Sequence, residues 1–253
     1  INKHEEYLKK YIITLTNNSQ VQKSINIIKQ NRNKNNSKFF EASLLLIVEN
    51  FKKKNFYQNI KLLNELKKYN GYDNYHLILY EVLSGYNDVF LNKKLNLNQQ
   101  NFGKLSLINE AFHYCYLNEA ETSSKFLNLI NSNEGDYTRY LFFYLNNLIE
   151  KENLKSAIQA AKEINMLNSN LLIQQSKQWI DSSNFNRFGN LFSCKNESDI
   201  LAEFFFLISN FLSVDKNFEK SNFYSNIANY LNPKFYFNLT HLISNYSEIK
   251  NYK

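Results

Sequence analysis

Pro233 is the single proline of the chain, and the five glycines stand alone at 71, 85, 103, 135 and 189. A β-sandwich or barrel needs turn residues about every 8 to 12 positions, so this supply excludes both and leaves helices joined by short polar turns. Pro233 closes the apolar-periodic stretch Phe218–Leu231 and drives Asn232 out of the α region. Stepping back 64 residues gives Ser169, a further 34 gives Gly135 and another 64 gives Gly71, and each ends a helical pattern. Gly and Ser can end a helix by tolerating a left-handed cap or by bonding the freed backbone. The proline is thus one instance of a recurring breaker.

A second ladder marks where alternate helices begin. Val21, Phe56, Ala120, Leu154, Phe218 and Tyr252 open such stretches, at steps of 35, 64, 34, 64 and 34. Each step of 64 has room for two units, so irregular units are expected near 72–102 and 170–196. Three residues after each opener stands a small or polar side chain, Ser24, Asn59, Ser123, Ala157 and Ser221, which lets a helix approach its neighbour closely. The preceding helices show one apolar face. In LAEFFFLISNFL the apolar residues fall at 201, 204, 205, 208, 211 and 212, and YLFFYLNNLI repeats this with Leu141, Phe142, Leu145, Leu148 and Ile149. Short helices are marginal alone, so pairs must stack on pairs to bury these faces. Turns between paired helices are expected near 118, 152 and 216.

A period of 34 with two helices per unit resembles the tetratricopeptide repeat. Residues 202–233 carry the likeness best. Phe205, Ile208, Ser209 and Leu212 stand at its first-helix positions, and Ser221, Ala228 and Pro233 at its second-helix positions. Leu107, Ala111 and Tyr114 match in the unit from 104, and Leu239, Leu242 and Tyr246 in the last one. The stretch from Ala202 through YSNIANYLNPKF is similar to the C-terminal part of degenerate bacterial tetratricopeptide-repeat proteins. The resemblance implies an all-α, right-handed α-solenoid of antiparallel helix pairs, about seven in number, forming one domain over 1–253. Regular units are expected near 40–71, 104–135, 138–169 and 202–233, with a truncated unit at 236–253.

Apolar residues at 43% supply a continuous core. No apolar run nears the ~20 residues that span a bilayer. Charge is uneven: residues 1–70 carry 14 Lys and Arg against 5 acids, the remainder 16 against 18. Arg, the better phosphate fork, occurs three times, and AT-rich codon bias accounts for much of the lysine. The run FKKKNFYQNIKLLNELKKYN interleaves Lys with aromatics, yet Phe56, Ile60, Leu63 and Leu66 fit a core stripe and leave the lysines on a solvated back. Cys115 and Cys194 lack a partner motif and read as two buried thiols; a disulfide scaffold and a CxxC metal site are excluded. Either bacterial cytoplasm or periplasm is compatible.

No phosphate-cradling loop, HExxH or GxSxG occurs, so neither cofactor nor metal nor catalysis is expected. His113 and Cys115 point about 200° apart on a helix and cannot share a metal. By the resemblance, first helices line the concave side, and the groove contacts fall at Asn109, Arg139, Asn146, Asn210 and His241. A spaced row of Asn could pair with the backbone of an extended peptide. The expected role is a non-catalytic scaffold binding a peptide or protein. The rivals are an RNA- or anionic-membrane-associated adaptor using the basic N-terminal third, and the repeat portion of a larger enzyme.

Overall fold

A computed structural model describes residues 3–31, 38–69, 71, 74–95, 100–132 and 138–251, and among them every regular element is a helix. Gly135 and Tyr252, two rungs of the sequence ladders, lie outside the described residues. The first helices in order are α1 (Lys3–Asn17), α2 (Val21–Asn31), α3 (Phe40–Lys52), α4 (Phe56–Leu66) and α5 (Asn74–Asn92). Then come α6 (Lys104–Leu117), α7 (Thr122–Ile130), α8 (Tyr140–Glu150), α9 (Leu154–Lys162), α10 (Leu171–Asp181) and α11 (Asn186–Leu191). The series ends with α12 (Glu197–Val214), α13 (Phe218–Leu231) and α14 (Phe237–Asn251).

One turn recurs. Ser19, Lys54, Asn118, Glu152, Ser183 and Lys216 each adopt φ near +60° between two helices. At each, the residue's own amide bonds the carbonyl three positions back, and the next amide reaches the carbonyl five positions back. Glu152 N–H donates to Ile149 O at 2.9 Å and Asn153 N–H to Leu148 O at 2.8 Å; Lys216 and Asn217 do the same to Ser213 and Leu212. These bonds satisfy the carbonyls that a helix end leaves free. The turns at 118, 152 and 216 lie where the ladder puts them. Their left-handed residues are not glycines; the one described glycine with positive φ is Gly103, which precedes α6.

The residue after the turn often starts the next helix. Asn153 and Asn217 each accept an amide through the side chain, from Ser156 at 3.3 Å and Lys220 at 3.4 Å. Asn170 caps α10 likewise, from Ile173 at 3.1 Å. Abundant asparagine therefore has a local structural use. Helices α2, α4, α9 and α13 open at the expected Val21, Phe56, Leu154 and Phe218, whereas α7 opens at Thr122 and not Ala120. The small residues three positions on are buried in four cases, and Thr122 takes that place in α7. Two of them fasten the hairpin: Ser24 Oγ lies 3.1 Å from Thr16 Oγ, and Ser221 Oγ donates to Ser209 O at 2.7 Å.

The chain forms two compact units. The first comprises Ile1–Gln99 and Glu197–Lys253, the second Gln100–Asn196. In the first unit α3 and α12 pack on each other and both meet α13, while α13 also packs on α1 and α2. As a result α3 and α12 are buried on nearly every side, through Phe40, Ala42 to Phe51, Ile200 to Ser209 and Leu212, in place of one core-facing stripe. Of the six stripe positions in α12, Phe211 is exposed. The second unit centres on Phe112, Phe126, Phe142, Phe143, Phe188 and Phe192, all buried. Phe143 meets Phe192 edge-on at 4.7 Å and Phe112 at 5.0 Å between ring centroids. Cys115 at the end of α6 and Cys194 after α11 form a disulfide across 79 residues of sequence. Both are buried, so burial agrees with the sequence reading and the thiol state does not. Their pairing is made by the tertiary fold, with no local spacing to announce it.

Candidate functional site

Within the first unit, α1, α3, α5, α12 and α13 surround a hollow of about 240 Å³. Its apolar wall is Ile13, Leu212, Phe223 and Tyr224. Lys9, Glu41, Glu219 and Lys220 surround it with charges of both signs, and Tyr75 and His76 complete it. Lys9 Nζ pairs with Glu41 at 3.1 Å. His76 stacks on Phe40 at 3.7 Å, and its Nδ1 lies 3.2 Å from Tyr69 O. Tyr75 Oη donates to Asp215 at 2.9 Å. Helix α13 is held over α1 and α2 by polar contacts: Ser19 Oγ donates to Asn226 at 2.7 Å, and Tyr230 Oη to Gln22 at 2.7 Å. Tyr246 of α14 adds a bond to Asn17 O at 2.7 Å. The hollow therefore exists because two ends of the chain meet. No local motif carries Lys9, Tyr75 and Lys220 as a set, so sequence reasoning missed it.

The residues expected to line a groove are dispersed. Asn109, Arg139 and Asn146 belong to the second unit, Asn210 and His241 to the first. Asn109 and Asn146 are buried, and Asn146 donates its amide to Phe192 O at 3.0 Å. A buried side chain with an internal partner cannot meet a ligand, so neither is a groove contact in this structure. Asn210, at the corresponding sequence place in α12, is exposed, so the two asparagines do not share an environment. Arg139 is half-buried at the start of α8, with its guanidinium carbon 5.9 Å from the Phe143 ring centroid. His241 is half-buried, 3.5 Å from Ser221 Oγ and edge-on to Phe206.

The lysine run at 52–54 also has internal work. Lys52 donates to Tyr230 O and lies 3.7 Å from that tyrosine's ring centroid. Lys53 pairs with buried Glu49 at 2.6 Å, which Lys29 meets at 2.5 Å. Lys54 pairs with buried Glu197 at 2.9 Å, with Lys93 at 3.8 Å. Lys52 and Lys54 thus tie the end of α3 to α13 and to the start of α12, while Lys53 pairs one turn back along α3. Burial pushes the Glu49 carboxyl up, but hydrogen bonds and charge from Lys29 and Lys53 outweigh it and hold it below the ordinary carboxylate value. A second cleft, of about 420 Å³, opens beside this pair, lined by Lys29, Lys53 and Lys61 with Asn50, Asn55 and Gln58.

Among the described residues no group of three or more His, Cys, Asp and Glu could hold a metal ion, and no helix is long and apolar enough to cross a membrane. Compared with protein-family models, curated proteins and solved structures, the chain matches none.

Proposed function

We propose that this chain is a non-catalytic interaction scaffold of degenerate tetratricopeptide type. Its helix pairs would stack as right-handed arrays within each unit, and a partner segment would anchor one large apolar side chain in the hollow beside Ile13. The observation that carries the reading is the combination of an apolar wall with a mixed-charge surround. At about 240 Å³ the hollow is smaller than the ~300–1,000 Å³ of typical small-molecule sites. That volume suits a single anchor residue, the arrangement in which interfaces concentrate their binding energy. Lys9, Glu41, Glu219 and Lys220 would then set orientation and association rate more than affinity.

The recurring left-handed turn supports the array. It repeats at 118, 152, 183 and 216, steps of 34, 31 and 33 residues. The test is selection of a displayed random-peptide library on the purified chain, with Ile13→Trp as the filled-hollow control. Enriched peptides should share one aromatic or large aliphatic residue. Their affinity should fall at least about tenfold on Ile13→Trp, roughly 1.4 kcal/mol, with the helical circular dichroism unchanged. Peptides that bind both forms equally would sink the proposal, as would a library that enriches nothing.

A further inference from the structure

We infer that this chain matures in an oxidising compartment, where a disulfide donor joins Cys115 to Cys194, and not in a reducing cytosol. The Cα atoms are 5.6 Å apart, within the range that a disulfide spans without moving the backbone. The cysteines lie on segments far apart in sequence: Cys115 in the last turn of α6, Cys194 in the turn that follows α11 and the extended Phe192, where Asn196 N–H donates to Ser193 O at 3.0 Å. Packing brings the two segments together. Phe192, two residues before Cys194, is wedged against Phe143 and Phe112, and Phe112 lies three residues before Cys115. The Asn147 amide lies 3.5 Å from Cys115 Sγ in the same buried layer.

Disulfides that regulate or catalyse are exposed to an attacking thiolate, since exchange begins with attack on a sulfur. These sulfurs belong to residues only 3% and 1% exposed. The bond is of the structural kind, which cytosolic thiol pools suppress during folding and oxidising compartments permit. Its formation balances simply. Two cysteine thiols give up two protons and two electrons, and the disulfide of an oxidoreductase or small-molecule donor is reduced to two thiols. The bond spans the second unit from its first helix to the segment just before Glu197. It therefore staples that unit near both of its ends.

The experiment begins with cells of the native host quenched in acid. Free thiols are blocked under denaturing conditions with a light maleimide; the sample is then reduced and labelled with a heavy one. Mass spectrometry of the Cys115 and Cys194 peptides should find heavy label on both, and an unreduced digest should contain the linked pair. Light label on both cysteines would overturn the inference. A second arm expresses the chain in a bacterial cytosol and, behind an added leader, in the periplasm. The periplasmic product should carry the bond and the cytosolic product should not; a fully bonded cytosolic product would remove the need for an oxidising compartment.

Discussion

The two units solve the same packing problem by different means. The second is one continuous stretch, and a buried disulfide closes it between α6 and the residue before its last few. The first is assembled from two stretches far apart in sequence, and no covalent link joins Ile1–Gln99 to Glu197–Lys253 inside it. There polar pairs cross the seam beside its apolar contacts: Lys54 and Lys93 on Glu197, Tyr75 on Asp215, Ser19 on Asn226, Tyr230 on Gln22. Apolar burial drives the collapse of each unit by itself, but it is nearly indifferent to register. A disulfide fixes register by connectivity, and polar pairs fix it where a buried group such as Asn226 would otherwise lose a partner.

The largest break in this contrast should come from Cys115→Ser with Cys194→Ser. Cross-linking across 79 residues constrains the unfolded chain by about 4.5 kcal/mol on loop-closure entropy. Amide exchange should therefore quicken across α6–α11 and stay unchanged in α3 and α12. Equal loss of protection in both units would mean that they unfold as one. Next in size, Lys54→Gln with Lys93→Gln removes two cationic partners of the buried Glu197 carboxylate. Loss of a partner from a fully buried pair costs about 3–5 kcal/mol. With both lysines half-exposed and screened, about 1–2 kcal/mol is expected here, confined to the first unit. Urea titration followed by unit-specific exchange measures it; an unchanged midpoint would return the lysine run to the status of a solvated face.

Acid should separate the units by sign. Glu49, lowered in the folded state, contributes stability above the ordinary carboxylate value of about 4.3, and this is lost as pH falls through its lower folded value. Glu150 behaves oppositely. Burial raises it, against a hydrogen bond from Ser193 and the charge of Lys195. Its contribution is complete below about 4.3 and is lost as pH rises through the raised value. Acidification towards that point should thus firm the second unit, and further acidification should loosen the first. Glu49→Gln and Glu150→Gln should each erase one slope in a pH series of exchange rates; slopes that persist would assign them to other carboxyls.

The smallest effect expected is a gain. Glu152 holds φ +57° with a β-carbon, a conformation that glycine adopts without steric cost. Glu152→Gly should stabilise the second unit by about 0.5–1 kcal/mol, read as a higher melting temperature. A drop would show that this side chain makes a contact that outweighs the strain.

Much of the helical framework was legible because its signals are local. Apolar spacing, a polar turn and a small residue three positions into the next helix act within a few turns of chain, and they located α2, α4, α9 and α13. The two 64-residue steps show where legibility ends. From Glu152 to Lys216 the step contains a full hairpin, α10 and α11, with the same left-handed turn at Ser183. From Lys54 to Asn118 the described residues hold, in that place, the single α5 of 19 residues, which packs on α4, and no hairpin of its own. Both steps have the same length, so spacing alone could not tell them apart. The apolar run of α5 carries Leu79, Val82, Leu83, Tyr86 and Phe90 into the core without a turn, and Tyr86 meets Phe204 of α12 at 6.2 Å.

By itself the sequence determined that the chain is helical and where many of its hairpins turn, since those outcomes rest on dihedral preference and short-range burial. Tertiary structure decided everything that depends on which surfaces meet. It paired Cys115 with Cys194, buried Asn146 while exposing Asn210, and turned Lys52 to Tyr230 and Lys54 to Glu197. It also set Lys9, Tyr75 and Lys220 around one hollow. Burial and charge partners are properties of neighbours in space, and here those neighbours come from segments dozens to some two hundred residues apart.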